Sequence, residues 1–357
     1  MTTCAVLGLL GTAAFLIHEK RTHEAAPEPF FRKDLASYGF PTTSDGQIMG
    51  NSTDVAFLSD DLVLVSVNTR TFGPVERADT DAPLSKLVLF DLSTKAVVRT
   101  AELPAEKRHE SVKSLNDGRF ALFNEAGVNF CTQMLECRKA IDSRDPLFVS
   151  PRGTRIAVGG NGQTTQRVLE TNSLKEVGEF AWNEARAIPG DDGILLEKKG
   201  KSYLRMSDSS ERQLPFINLG VFWPDARFLN DKELAGFVST DSLAVMRLDG
   251  TLLYQKPVTQ LWRLNEILPT ASGSRFCFHE AGYTTLNSIV NFLDIENTRP
   301  FNTQTITVFE TESGRPVFRS EWDPRPYVGP LGSPALSPDA HELAVMHDSH
   351  LEVYRIP

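Results

Sequence analysis

The stretch FVSPRGTRIAV, residues 148–158, sets an apolar pair, a tight polar turn and a β-type run side by side. Pro presets φ for a turn, Gly accepts the left-handed region, and the Ser hydroxyl can bond its own backbone, so the chain reverses within a few residues. The apolar residues on either side then read as two antiparallel strands. The arrangement recurs. FLSDDLVLVS from Phe57, SLNDGRFALF from Ser114, AIPGDDGILLE from Ala187, FLNDKELAGF from Phe228, TASGSRFCF from Thr270 and ALSPDAHELAVM from Ala335 complete a set of seven.

The aligned turn positions are Ser59, Asn116, Ser150, Gly190, Asn230, Ser272 and Ser337, with successive spacings of 57, 34, 40, 40, 42 and 65 residues. A four-stranded propeller blade consumes about 40 to 45 residues. Second halves such as KLVLFDLSTKAVVRTAEL, AVMRLDGTLLYQKPV and ITVFETESGRPVFRSEW read as hairpins. These observations predict an all-β protein: one domain over 45–357, a seven-bladed β-propeller of four-stranded antiparallel blades. The last unit supplies three strands, so a segment within residues 30–52 is expected to complete it and close the ring, the alternative being an open ring.

With its Val149-Ser150-Pro151-Arg152-Gly153 and Leu336-Ser337-Pro338-Asp339-Ala340 turns, the chain resembles the WD40-like and YVTN-like repeat propellers of exported bacterial proteins over about 300 residues. The Trp-Asp dipeptide that ends true WD40 blades does not recur. The resemblance implies a fold and leaves function open, because this superfold hosts many unrelated activities.

Composition narrows the partners. A net charge of −9 and a pI near 5.4 exclude a protein built to neutralise phosphates, so no nucleic acid is expected. Cys131 and Cys137, on the two outer strands of one blade, suit a cross-strand disulfide in an oxidising compartment, the alternative being two unpaired buried thiols. Cys277 alternates like a core residue. The uncharged run Cys4–Ile17 fits a signal-peptide apolar region better than a full membrane span, although its first cations, Lys20 and Arg21, follow it. Residues 1–18 are therefore expected to be a signal peptide or a short N-terminal membrane anchor, and 19–44 a tether. Export to the periplasm or cell envelope is the expectation, and a cytoplasmic protein the alternative.

Two connections between second and third strands are long. The 68–85 insertion is polar and holds Arg70, Arg77, Asp79 and Asp81. The 279–304 insertion is amphipathic, with Leu286, Ile289, Val290 and Leu293 at helical spacing. In a closed ring both flank the short His347–His350 turn on one face, and long loops commonly carry function. The binding candidates there are Arg70, Arg77, His279, Glu280, Tyr283, Asn287, Arg325, Tyr327 and His347, serving a protein, glycan or small-molecule ligand of a monomer. The rival is a propeller enzyme of hydrolase, lactonase, lyase or oxidoreductase type with His279 and Glu280 as its acid–base pair. No C-x-x-C, H-E-x-x-H or G-x-S-x-G motif occurs, and the GGNGQTT run at Gly159 lacks the lysine of a phosphate loop, so no cofactor and no metal are expected. Lys198, Lys199 and Lys201 read as a solvated turn.

Overall fold

A computed structural model of the chain describes residues 27–38, 53–68, 84–104, 111–124, 127–142, 148–159, 165–182, 184–217, 226–258, 264–282, 303–322, 334–347 and 349–357. Its strands form seven four-stranded antiparallel sheets. Blade one consists of Thr53–Phe57, Leu62–Asn68, Leu84–Asp91 and Ala96–Pro104, and blade two of Ser111–Ser114, Phe120–Asn124, Gly127–Cys131 and Cys137–Ile141. Blades three to six begin at Phe148–Val149, Arg186–Pro189, Ala226–Phe228 and Leu264–Pro269. Blade seven holds Ala335–Leu336, Glu342–His347 and His350–Arg355, and its outermost strand is Phe31–Asp34. All seven predicted turns join the first strand of a blade to its second.

Phe31–Asp34 pairs antiparallel with His350–Arg355, with Phe31 opposite Val353 and Asp34 opposite His350. The closing strand thus falls within the 30–52 window and inside the stretch read as a tether. Leu35 continues the lock, its N–H donating to the Ser349 carbonyl at 2.7 Å.

Side chains alternate across each strand, so every sheet presents one apolar set to each neighbouring blade. The core accordingly divides into seven clusters, one in each gap. Val55, Phe57 and Phe90 of blade one meet Phe31, Ala344, Met346 and Val353 of blade seven. Phe237 of blade five meets Phe276 and Phe278 of blade six. Cys277, alternating to the opposite side, joins Leu343, Val345 and Tyr354 in the next gap.

The turns also join blades to one another. Asn116 Nδ2 donates to the Pro151 carbonyl at 2.9 Å, Ser150 Oγ to Asp191 at 2.8 Å, and Asn230 Nδ2 to the Gly273 carbonyl at 3.2 Å. The Ser272 N–H donates to the Pro338 carbonyl at 3.0 Å. Gly153 shows why this turn accepts so few residues: its φ is +72°, and a Cβ there would stand 2.1 Å from the Leu115 carbonyl oxygen of blade two. Cys131 and Cys137 face each other across the outer strand pair of blade two and form a disulfide.

Candidate binding site in the central channel

The antiparallel register fixes which ends of the strands share a face. Thr53 at the start of blade one lies opposite Val67, near the end of the second strand. Blade-to-blade connections and second-to-third strand connections therefore leave from the same face, and the seven turns occupy the other.

Each innermost strand pairs with its own second strand along one edge and leaves the other edge toward the axis. N–H groups on that free edge need acceptors. Asp54 of blade one accepts from the Val112 N–H of blade two at 2.9 Å, and the buried Gln166 accepts from the Ala187 N–H of blade four at 2.6 Å. Burial pushes the Asp54 carboxyl up from its usual range, while Lys113 and the Val112 N–H pull it the other way.

Charge gathers on these strands. Asp54 and Glu266 come from blades one and six, and Lys113, Arg186 and Arg227 from blades two, four and five. Arg186 lies directly opposite Glu197, whose carboxylate is buried 3.4 Å from the guanidinium. Glu266, 8% exposed, lies at the corresponding register position opposite His279. The guanidinium carbon of Arg227 stands 5.0 Å from the ring centre of Phe148, two blades away. A cavity of about 150 Å³ runs along the axis, walled by all seven innermost strands, with Lys113, Arg227 and Glu266 as its charged lining.

His279 is buried at 5% exposure on the second strand of blade six, while Glu280 is half-buried. By strand alternation His279 shares the side of Cys277, toward blade seven, and Glu280 that of Phe278, toward blade five. Each makes further polar or electrostatic contacts. His347 pairs in register with His350. Arg70, Arg77, Tyr283, Asn287, Arg325 and Tyr327 lie outside the described residues, as do the centres of both insertions. Lys198 and Lys201 pair across the hairpin turn predicted for them, and Lys198 Nζ bonds Glu211 at 2.6 Å. Among the described residues no group of three or more His, Cys, Asp or Glu is placed to hold a metal ion, and no helix is long and apolar enough to cross a membrane.

The inner-strand charges were absent from the sequence candidates. Their signal is a charged residue one to four positions ahead of a turn within an apolar strand, as in Val112-Lys113-Ser114 and Ala226-Arg227-Phe228. Only the ring reveals that such positions face one another.

No protein-family model matches the chain, nor does any curated protein sequence. Among solved structures, the β-propeller domain of Cps50 (Swd1) from Myceliophteria thermophila superposes with a TM-score of 0.52 and 13% identity, covering 86% of this chain and 97% of that one. The chain has the fold of a seven-bladed β-propeller. The C-terminal WD40 domain of Sif2 superposes over 92% of this chain and 99% of its own, at a TM-score of 0.47 and 9% identity. At 13% identity the likeness to the Cps50 domain is one of fold.

Proposed function

We propose that this propeller is an interaction module that binds a protein partner on the face carrying the 68–85 and 279–304 insertions. The observation that supports it most is the polarised charge of the innermost strands: acidic from blades six and one, basic from blades two, four and five. Fixed charges held in a low-dielectric ring steer a partner of complementary charge and set its register. Capture from native extract by the intact chain, compared with a chain lacking residues 286–300 whose fold is confirmed by circular dichroism, tests this. Loss of the captured partner is expected. Undiminished capture by the shortened chain sinks the assignment of that face.

The propeller acts outside the cytoplasm in this reading. The Cys4–Ile17 apolar run and the Cys131–Cys137 disulfide support export, since such bonds persist in oxidising compartments. Fusing residues 1–44 to a reporter active only after export decides it, an inactive reporter counting against.

A further inference from the structure

Strand direction fixes where the N-terminal chain meets the ring. Phe31–Asp34 runs antiparallel to His350–Arg355, with Phe31 opposite Val353, and third strands end on the face that carries the seven turns. The chain therefore enters the ring at the turn face, opposite to the two insertions. This entry is pinned. The Phe30 N–H donates to the Val353 carbonyl at 3.0 Å, its own carbonyl accepts from Lys95 Nζ at 3.3 Å, and its ring centre stands 4.7 Å from the guanidinium carbon of Arg355.

The same face carries the exposed large apolar side chains. Among the described residues these are Val98, Met134, Leu174, Val177 and Leu252. Each lies in a turn between third and outer strands or within the first three residues of the outer strand that follows, which is the turn-face end. Apolar residues scattered singly over a surface are ordinary. These are confined to one end of the propeller, the end at which an apolar N-terminal run joins it.

The partner that fits is a lipid surface. Residues 4–17 form an uncharged apolar run of 14 residues, short of the roughly 20 needed to span hydrocarbon. A weak anchor holds firmly when a second contact adds to it, and apolar side chains enter the headgroup boundary without a prepared pocket. Only the 12 residues 18–29 separate the run from Phe30, so the entry point stays within about 45 Å of the run and averages about 20 Å from it. The opposite face stands about 25 Å further away, the rise of a strand such as the nine-residue Ala96–Pro104. Asp60, Asp61 and Asp339, exposed at the same turns, disfavour anionic headgroups.

We infer that the propeller lies with its turn face against a bilayer of zwitterionic lipid, with residues 4–17 as the anchor and the apolar rim as the second contact. The insertion face then points outward to its partner. This rests on the proposed export and on residues 4–17 staying with the chain.

The full chain in a Cys4→Ser background, where Cys277 is buried and Cys131 and Cys137 are bonded, takes a single fluorescent label at Lys175→Cys on the turn face or at Lys201→Cys on the insertion face. With phosphatidylcholine vesicles carrying an acceptor lipid, the chain is expected to float with the vesicles, and energy transfer from position 175 to exceed that from position 201 by about twofold, reflecting the depth of the propeller. Met134→Ser, Leu174→Ser and Leu252→Ser together are expected to weaken vesicle binding several-fold at an unchanged melting temperature. Undiminished capture of the protein partner by that variant separates this contact from the insertion face. Should the triple variant fail to fold, the two labelled chains decide. A chain that does not float, transfer that is equal or reversed, or unchanged vesicle binding by the folded triple variant overturns the inference. So does a lipid-free dimer that the three substitutions dissociate, which would assign the rim to a second copy.

Discussion

The backbone N–H of Asp339 donates to the Asp60 carboxylate at 2.9 Å, joining the turn of the last blade to that of the first across 279 residues of sequence. Around this junction lie Asp61, Asp339 and Glu342. Burial pushes the Glu342 carboxyl up to about 7, Asp339, Asp61 and Asp60 add to the rise, and Arg355 opposes it. One Glu342 oxygen is buried with no hydrogen-bond partner among the described residues. Because the folded chain holds this proton more tightly than the unfolded chain does, stability falls as pH rises from about 4.5 to about 7 and levels off above. Screening of the partly exposed carboxyl leaves on the order of 1 kcal/mol. Denaturant melts between these pH values should show the decline, and Glu342→Gln should flatten it.

Ring closure rests on the Phe31–Asp34 strand. Phe31 is buried against Phe90 with ring centres 5.9 Å apart. Phe31→Ala should destabilise the propeller by about 3 kcal/mol, through lost transfer energy and the cavity left behind. Removal of residues 1–35 should leave the His350–Arg355 edge unpaired and the protein prone to self-association, read by light scattering. A monodisperse truncated chain with an unchanged melt would show that closure depends on other contacts.

The two Ser-Pro turns predict opposite effects of one methyl group. Gly153→Ala forces a Cβ against the Leu115 carbonyl and should cost more than about 2 kcal/mol. Ala340 already bears a φ of +69°, and Ala340→Gly should be neutral or stabilising by a few tenths of a kcal/mol, as relief of left-handed strain opposes the greater freedom of the unfolded chain. Paired chemical denaturation curves measure both.

The Cys131–Cys137 bridge closes a short loop, for which the chain-entropy account gives about 2 kcal/mol. Cys137→Ser, or reduction of the native chain, should lower stability by that amount while leaving the β-sheet circular dichroism unchanged. Peptide mapping without reductant should recover the bridged pair, with Cys277 as a thiol. Burial pushes the Cys277 thiol well above its usual range, so it should resist alkylation until the chain unfolds.

Much of the fold was legible because propeller blades announce themselves locally. Asn116, Ser150, Asn230 and Ser272 mark turns by short-range chemistry that needs no knowledge of the rest of the chain, and each also bonds a neighbouring blade. The disulfide was legible for the same reason: its cysteines stand six positions apart, and both lie on one hairpin. The closing strand was visible only as a missing fourth partner, since FRKD carries no strand signal strong enough to stand alone.

By itself the sequence determined seven blades, the end at which their turns lie and the two intervals that break the spacing, because turn chemistry and period-two alternation act over a few residues. The tertiary structure decided which charges meet. Lys113 and Arg227 are separated by three blades of chain, and each alone is an ordinary polar residue in a short strand. Closure of the ring by Phe31–Asp34 brings them, together with Glu266 of blade six, into the lining of one channel. The seven turns specify the ring, and the ring gives those residues a shared channel.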